Sequence, residues 1–193
     1  NLVDNFVNII LFGPPGAGKG TQAKYLVKKL NGFQISTGEI LRNEIKNNTE
    51  IGIKISKDMD NGKFVSDQIV NDLIKDIIFD PNKKNNLIFD GYPRTISQAK
   101  NLDLLLENSS QKIDFIFFLN VNKEIIIKRI EKRKVLENRT DDETNTILKR
   151  YDTYMQTTKP VLEFYSKNPN FKEIDGSQEI DQITRKIDTF LNV

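Results

Sequence analysis

The sequence predicts an α/β fold: a three-layer α/β/α sandwich around a central five-stranded parallel sheet, with a small helical lobe inserted after the second strand. Three observations predict it. Short segments are apolar on consecutive residues, as strands covered on both faces must be, and they alternate with longer stretches of helical period. The alternation implies right-handed crossovers between parallel strands. The 193 residues suffice for one core that needs neither metal nor disulfide.

In chain order, a short extension at Asn1–Phe6 leads into the first strand, Phe6–Phe12. A glycine loop then opens a helix at Lys19–Leu30, and Phe33–Ser36 is the second strand. Gly38–Phe64 reads as two or three short helices broken at Gly52 and Gly62, with no strand, and forms the inserted lobe. After a loop at Asp80–Asn86 come strand Asn86–Asp90, helix Thr95–Glu107, loop Asn108–Gln111 and strand Asp114–Asn120. Helix Lys123–Lys132 is separated by a brief gap at Lys134–Asn138 from helix Glu143–Lys167; strand Phe171–Ile174 and helix Glu179–Leu191 close the pattern. No internal repeat is visible.

Composition narrows the chemistry. With 29 basic against 27 acidic residues the net charge is +2, too small for sequence-independent affinity for nucleic acid. Cysteine and histidine are both absent, which removes disulfides, thiolate nucleophiles, Cys/His-bound structural zinc and the imidazole of most acid–base enzymes. The apolar run Phe6–Phe12 is far shorter than the ~20 residues a membrane span needs. A soluble, cytoplasmic, monomeric protein with no membrane or nucleic-acid partner is expected.

GPPGAGKGT, Gly13–Thr21, follows a strand and opens a helix, the setting of a phosphate-binding loop. Gly13, Gly16, Gly18 and Gly20 let backbone N–H groups approach an anion, and the helix directs its positive end at it. Gly20 occupies the place of the usual Ser or Thr, but the neighbouring Thr21 can supply a hydroxyl near phosphates and their Mg²⁺, which readily keeps its own waters. The bland alternative is a tight glycine turn beside a solvated lysine. Leu87–Asp90 is an apolar strand ending in an acid; Asp90 is either a carboxylate orienting the waters of Mg²⁺ or a cap for the turn at Gly91.

Only seven of the 29 basic residues are arginine: Arg42, Arg94, Arg129, Arg133, Arg139, Arg150 and Arg185. In a lysine-rich chain arginine persists where a planar two-pronged donor for phosphate is required. Arg129 and Arg133 share a helix face. Arg185 fits a surface ion pair instead. Gln98 carries an amide able to pair with an adenine edge, or to face solvent.

Together these stretches resemble a family. GPPGAGKGT, Ser36-Thr-Gly-Glu-Ile-Leu-Arg42, Gly62-Lys-Phe-Val65, Asp90-Gly-Tyr-Pro-Arg94 with Gln98, Arg129-x-x-x-Arg133, Arg139-Thr-Asp-Asp142 and Arg150 occur in the order of nucleoside monophosphate kinases, with short-lid adenylate kinases the nearest group. The resemblance spans nearly the whole chain and includes the unusual Lys-Gly-Thr.

It implies a P-loop fold divided into a core of 1–35, 66–128 and 141–193, an AMP-binding lobe of 36–65 and a short lid region of 129–140, and the reaction ATP + AMP = 2 ADP with Mg²⁺. Lys19 would contact the transferring phosphoryl group, while Gly16, Ala17, Gly18, Gly20 and Thr21 would cradle ATP and Asp90 would order the Mg²⁺ waters. Arg129 would stack on the ATP adenine, with backbone at Gly176 and Ser177 beside the base. Thr37, Gly38, Arg42, Lys63, Phe64, Val65, Gly91, Arg94 and Gln98 would form the AMP site, and Arg133, Arg139 and Arg150 would gather at closure with Asp141 and Asp142. Thr37 and Gln98 match the AMP enzymes of the family, whereas UMP/CMP kinases tend to carry Ala and Asn there. Lys134 replaces a common Gly, implying a stiffer or differently shaped hinge. The alternatives are a UMP/CMP kinase or a non-catalytic nucleotide-binding module. A guanine-nucleotide switch lacks support, because the sequence has no Asn-Lys-x-Asp stretch.

Overall fold

The computed structural model describes residues 6–61, 65–82, 86–137 and 141–193. Its elements run β1 (Ile9–Phe12), α1 (Lys19–Lys29), β2 (Phe33–Ser36), α2 (Thr37–Lys46), α3 (Glu50–Asp60), α4 (Asp67–Ile78), β3 (Leu87–Asp90), α5 (Ile96–Asn108), β4 (Phe115–Asn120), α6 (Lys123–Glu137), α7 (Asp141–Ser166), β5 (Phe171–Asp175) and α8 (Ile180–Leu191). All five strands pair in parallel in the order β2-β3-β1-β4-β5. The α/β class and the five-stranded parallel sheet therefore stand as expected.

The period of two along β1 explains the layers. Ile10 and Phe12 face a cluster built with Val70, Ile74, Ala99 and Leu102 of α4 and α5. Ile9 and Leu11 face the opposite cluster, with Ala23 and Leu26 of α1, Ile126 of α6 and Ile183 and Ile187 of α8. Burial of such side chains contributes about 1.5–3 kcal/mol each, which is why the consecutive apolar run carries so strong a strand signal. Helix α7 serves both layers: Tyr151 joins one cluster, Val161 and Tyr165 the other. One buried amide sets the strand starts. Asn8 donates to Gln111 Oε1 and to the Lys112 carbonyl and accepts from the Leu87 N–H, tying β1 to the entries of β3 and β4.

Three expectations change in detail. The interruption between the lobe helices falls at Asn47–Thr49, where Thr49 caps α3 by accepting from the Gly52 N–H; Gly52 itself lies within α3. Its missing Cβ lets α3 press against α2, since a Cβ there would run into the Glu44 carbonyl. Helix α6 continues through Lys134 to Glu137, so that the expected gap at Lys134–Asn138 is helical over its described part. Helix α4 stands where the sequence reading places no element; Ser66 caps it, accepting from the Ile69 N–H.

Candidate active site

The carboxyl ends of β1 and β3 and the turns that follow them carry the predicted chemistry, as expected for a parallel α/β sheet. After β1 the chain takes left-handed backbone at Gly16 (φ 86°) and Gly18 (φ 84°), conformations that cost glycine nothing. Gly18 then stands at the N-cap of α1 with no side chain capping the helix and no acidic residue in its first turn. The first N–H groups of α1 are thus open to an anion, with the helix dipole behind them. Ala17 faces inward, 1% exposed, and can offer a ligand only its backbone. Thr21 lies exposed in the first helical turn.

Lys19 Nζ sits 2.9 Å from Asp90 Oδ1, joining the loop after β1 to the end of β3. The other oxygen of Asp90 accepts from Gln34 Nε2 at 3.1 Å. Sequence reasoning missed Gln34; its position near the end of a strand neighbouring β3 was the available signal. Also missed was Tyr154 of α7. Its hydroxyl accepts the Gly13 N–H at 2.8 Å, and its ring lies 5.8 Å from Lys19 Nζ. Burial raises the Tyr154 pKa to about 12, so the hydroxyl stays neutral beside the lysine.

Arg129 lies against the same loop. It donates through Nη1 to the Gly16 carbonyl at 2.7 Å and through Nη2 to the carbonyls of Gly176 and Gln178. These carbonyls engage the guanidinium through its N–H groups, in the plane of the fork. Gly176 must lack a side chain, because a Cβ would collide with Val121. Ser177 donates its N–H and its hydroxyl to Asp175, and these bonds, with Arg129 nearby, hold that carboxyl below the usual carboxylate range.

A second station forms on the turn after β3. Gly91 adopts φ 81°, and its carbonyl accepts from Arg94 Nε at 2.8 Å and from the Thr37 hydroxyl at 3.3 Å. Arg42 folds back over Gly38, where a Cβ would lie 3.0 Å from Nη1. Gln98, 5% exposed, accepts the Arg94 N–H at 2.7 Å and donates to Asp67 Oδ1 at 2.8 Å. Its amide therefore faces neither solvent nor an open edge on both sides, as the sequence alone allowed; Asp67 holds one side, a contact the sequence reading did not include. The signal was its place just after the cap of α4.

Thr37, Gly38, Arg42, Gly91, Arg94 and Gln98 are thus brought together, as are Gly16, Gly18, Lys19, Asp90, Arg129 and Gly176. Arg133 is one turn beyond Arg129 on α6, and Arg150 one turn before Tyr154 on α7; both are solvent-facing. Val65 lies just before the α4 cap. Lys63, Phe64 and Arg139 fall outside the described residues, as do the side chains of Asp141 and Asp142, whose backbone begins α7.

Comparison with known proteins shows the family. The family pattern described as adenylate kinase matches residues 11–170. The chain belongs to the adenylate kinase family. An adenylate kinase of Pelagibacter ubique is 50% identical, over 97% of this chain and 100% of the relative. Those of Mycoplasma mycoides and of a Caulobacter species are each 40% identical, covering 87% of this chain and 91% of the first, and 97% of this chain and 99% of the second. Among the described residues no helix is long and apolar enough to cross a membrane.

Proposed function

We propose that the enzyme transfers the terminal phosphoryl group of ATP to AMP, reversibly giving two ADP, by charge neutralisation and positioning without a titrating side chain. The observation that carries this reading is the placement of two phosphate-directed stations at the carboxyl ends of the interior strands β1 and β3, joined by the Lys19–Asp90 pair. At the first station the open end of α1 and Lys19 take the ATP phosphates, and Arg129 offers its face to the adenine. At the second, Arg42 and Arg94 hold the AMP phosphate, with Thr37, Gly38, Lys63, Phe64, Val65 and Gly91 around the nucleotide and Gln98 at its base.

A phosphate oxygen of AMP attacks the γ-phosphorus, and the bond from that phosphorus to the bridging oxygen breaks, leaving ADP. The nucleophile is already anionic near neutral pH, so no proton must be removed. Arginine suffices where other enzymes use histidine.

The residues present fit Mg²⁺. One carboxylate, Asp90 at the end of β3, with the Thr21 hydroxyl in the first turn of α1, would suit a cation that keeps several of its own waters. Among the described residues no cluster of acidic ligands forms an all-protein cage, which that cation does not need. Bound there, Mg²⁺ supplies neutralisation of developing phosphate charge. Lys19 exchanges Asp90 for phosphate oxygens as the nucleotide enters, freeing the carboxylate.

The segment 36–65 acts as the AMP lobe and 129–140 as a short lid on a core of 1–35, 66–128 and 141–193, with Arg133, Arg139, Arg150, Asp141 and Asp142 drawn in when both nucleotides are bound. Closure of both lobes excludes water as a competing acceptor. The scheme asks for no group from a second chain, and the proposal takes the enzyme as a monomer acting in the cytoplasm.

The decisive assay supplies ATP, Mg²⁺ and AMP, CMP or UMP in turn. ADP formation with AMP above the others supports the reading; a preference for CMP or UMP supports a UMP/CMP kinase, and no turnover supports a non-catalytic module. Arg94→Lys keeps the charge and loses the fork, and lowers kcat by about 10²-fold with little change in Tm. Near-normal turnover in that variant removes Arg94 from the AMP phosphate.

A further inference from the structure

The amide of Gln98 is held between two partners that each speak in one direction. The Arg94 N–H can only donate and takes Oε1 at 2.7 Å. The Asp67 carboxylate accepts from Nε2 at 2.8 Å. Rotating the amide by half a turn would set oxygen against carboxylate and NH₂ against N–H, losing both bonds and adding two repulsive contacts in a buried site. Asp67 is itself anchored, its second oxygen facing the Thr95 hydroxyl at 3.5 Å. Thr95 in turn caps α5, accepting the Gln98 N–H at 3.1 Å.

We propose that Asp67 is a specificity-determining positioning residue: by locking the orientation of the Gln98 amide, it makes the acceptor site select a 6-aminopurine monophosphate over its 6-oxo counterpart. The inference rests on the reading of Gln98 as the residue at the AMP base. After its two internal bonds, the amide has one N–H and one oxygen lone pair left. Adenine presents an amino donor beside a ring-nitrogen acceptor; hypoxanthine presents a carbonyl acceptor beside an N–H donor. The two edges are each other's reverse. A freely flipping amide serves both, so that a glutamine alone does not discriminate between them. A locked amide serves one and leaves the other facing unpaired or like-signed groups.

The test compares kcat/KM for AMP and for inosine monophosphate, with ATP as donor, in wild type, Asp67→Ala and Asp67→Asn. Alanine removes one of the two one-way partners, leaving the Arg94 N–H alone to oppose the flip, and lowers the AMP-to-IMP ratio about tenfold, chiefly by improving relative use of IMP. Asparagine can still turn an oxygen toward Nε2 and keeps the ratio within about threefold of wild type. In a Gln98→Ala background the Asp67→Ala change leaves the ratio unmoved. A purely structural role predicts something else: the alanine variant loses activity on both nucleotides equally, at constant ratio, and that result overturns the lock. Where alanine fails to fold, Asp67→Ser, whose shorter side chain does not reach Nε2, takes its place with the same expected fall, and an unchanged ratio there also overturns it. If the wild type uses neither AMP nor IMP, the underlying kinase reading fails. If it uses AMP and only the ratio is insensitive to Asp67, the lock alone is wrong.

Discussion

Tyr154 ties the helix that carries Arg150 to the glycine loop after β1. Its hydroxyl accepts the Gly13 N–H and its ring lies under Lys19, while burial lifts its pKa to about 12 and keeps the oxygen an uncharged acceptor at physiological pH. Removing only that oxygen separates the two contacts. Tyr154→Phe leaves the ring beneath the lysine but strands the Gly13 N–H, at a cost of about 1 kcal/mol in stability. The loop then loses one of its fixed points, so kcat/KM for ATP falls several-fold while KM for AMP stays within about twofold. Steady-state kinetics with each nucleotide varied in turn, alongside urea unfolding, checks both halves. An equal loss for both nucleotides would place Tyr154 in general folding rather than in loop geometry. Gln34 has a comparable place on the other side of the lysine, holding the second oxygen of Asp90.

At the scale of elements, the α2–α3 pair shows how a single missing Cβ sets a lobe. Gly52 sits where α3 meets the Glu44 carbonyl of α2, and a methyl group there forces the helices apart. Gly52→Ala costs about 1–3 kcal/mol and raises KM for AMP several-fold, with KM for ATP little changed, because Thr37, Gly38 and Arg42 ride on α2. Unchanged AMP kinetics would show that α2 holds its place without α3. The sequence made the strands of this fold legible because burial on both faces leaves a run of apolar residues with no gaps, as in Ile9–Phe12 and Phe115–Leu119. The glycine loop was equally legible, since strand, left-handed glycines, lysine and helix must coincide for its function. Helix α4 was not expected, although its paired apolar residues Ile69-Val70, Leu73-Ile74 and Ile77-Ile78 recur every four positions, a helical period. The end of α6 was misplaced for another reason: Val135 and Leu136 are largely exposed, so that they mark no core face that a sequence pattern can register. Asp67 against Gln98 was out of reach because two residues 31 apart meet only through the packing of α4 on α5.

Across the whole molecule, the five tyrosines share one electrostatic fate in different places. Burial raises all of them: Tyr25 to about 12, where a hydrogen bond to Asp188 adds to it, Tyr92 and Tyr154 to about 12, Tyr151 by direction and Tyr165 furthest. They span both faces of the sheet, with Tyr92 and Tyr165 in one cluster, Tyr151 and Tyr25 with the other, and Tyr154 at the glycine loop. A folded-state pKa above the unfolded value of 10.0 means that the native chain binds more protons than the unfolded one once pH exceeds that value. The stability contributed by these phenols is therefore complete below pH ~10 and is lost as pH rises above it, through about 12 for Tyr25, Tyr92 and Tyr154. Two measurements follow from the sign. The urea midpoint falls steadily above pH ~10 after a plateau at lower pH, because the chain has no histidine to titrate in the neutral range. Tyrosinate absorbance stays low while the chain is folded and then rises in one cooperative step that coincides with loss of far-UV circular dichroism. Gradual ionisation of most phenols near their ordinary value, with the helices intact, would mean that the interior admits hydroxide or water to both faces of the sheet, contrary to the packing described.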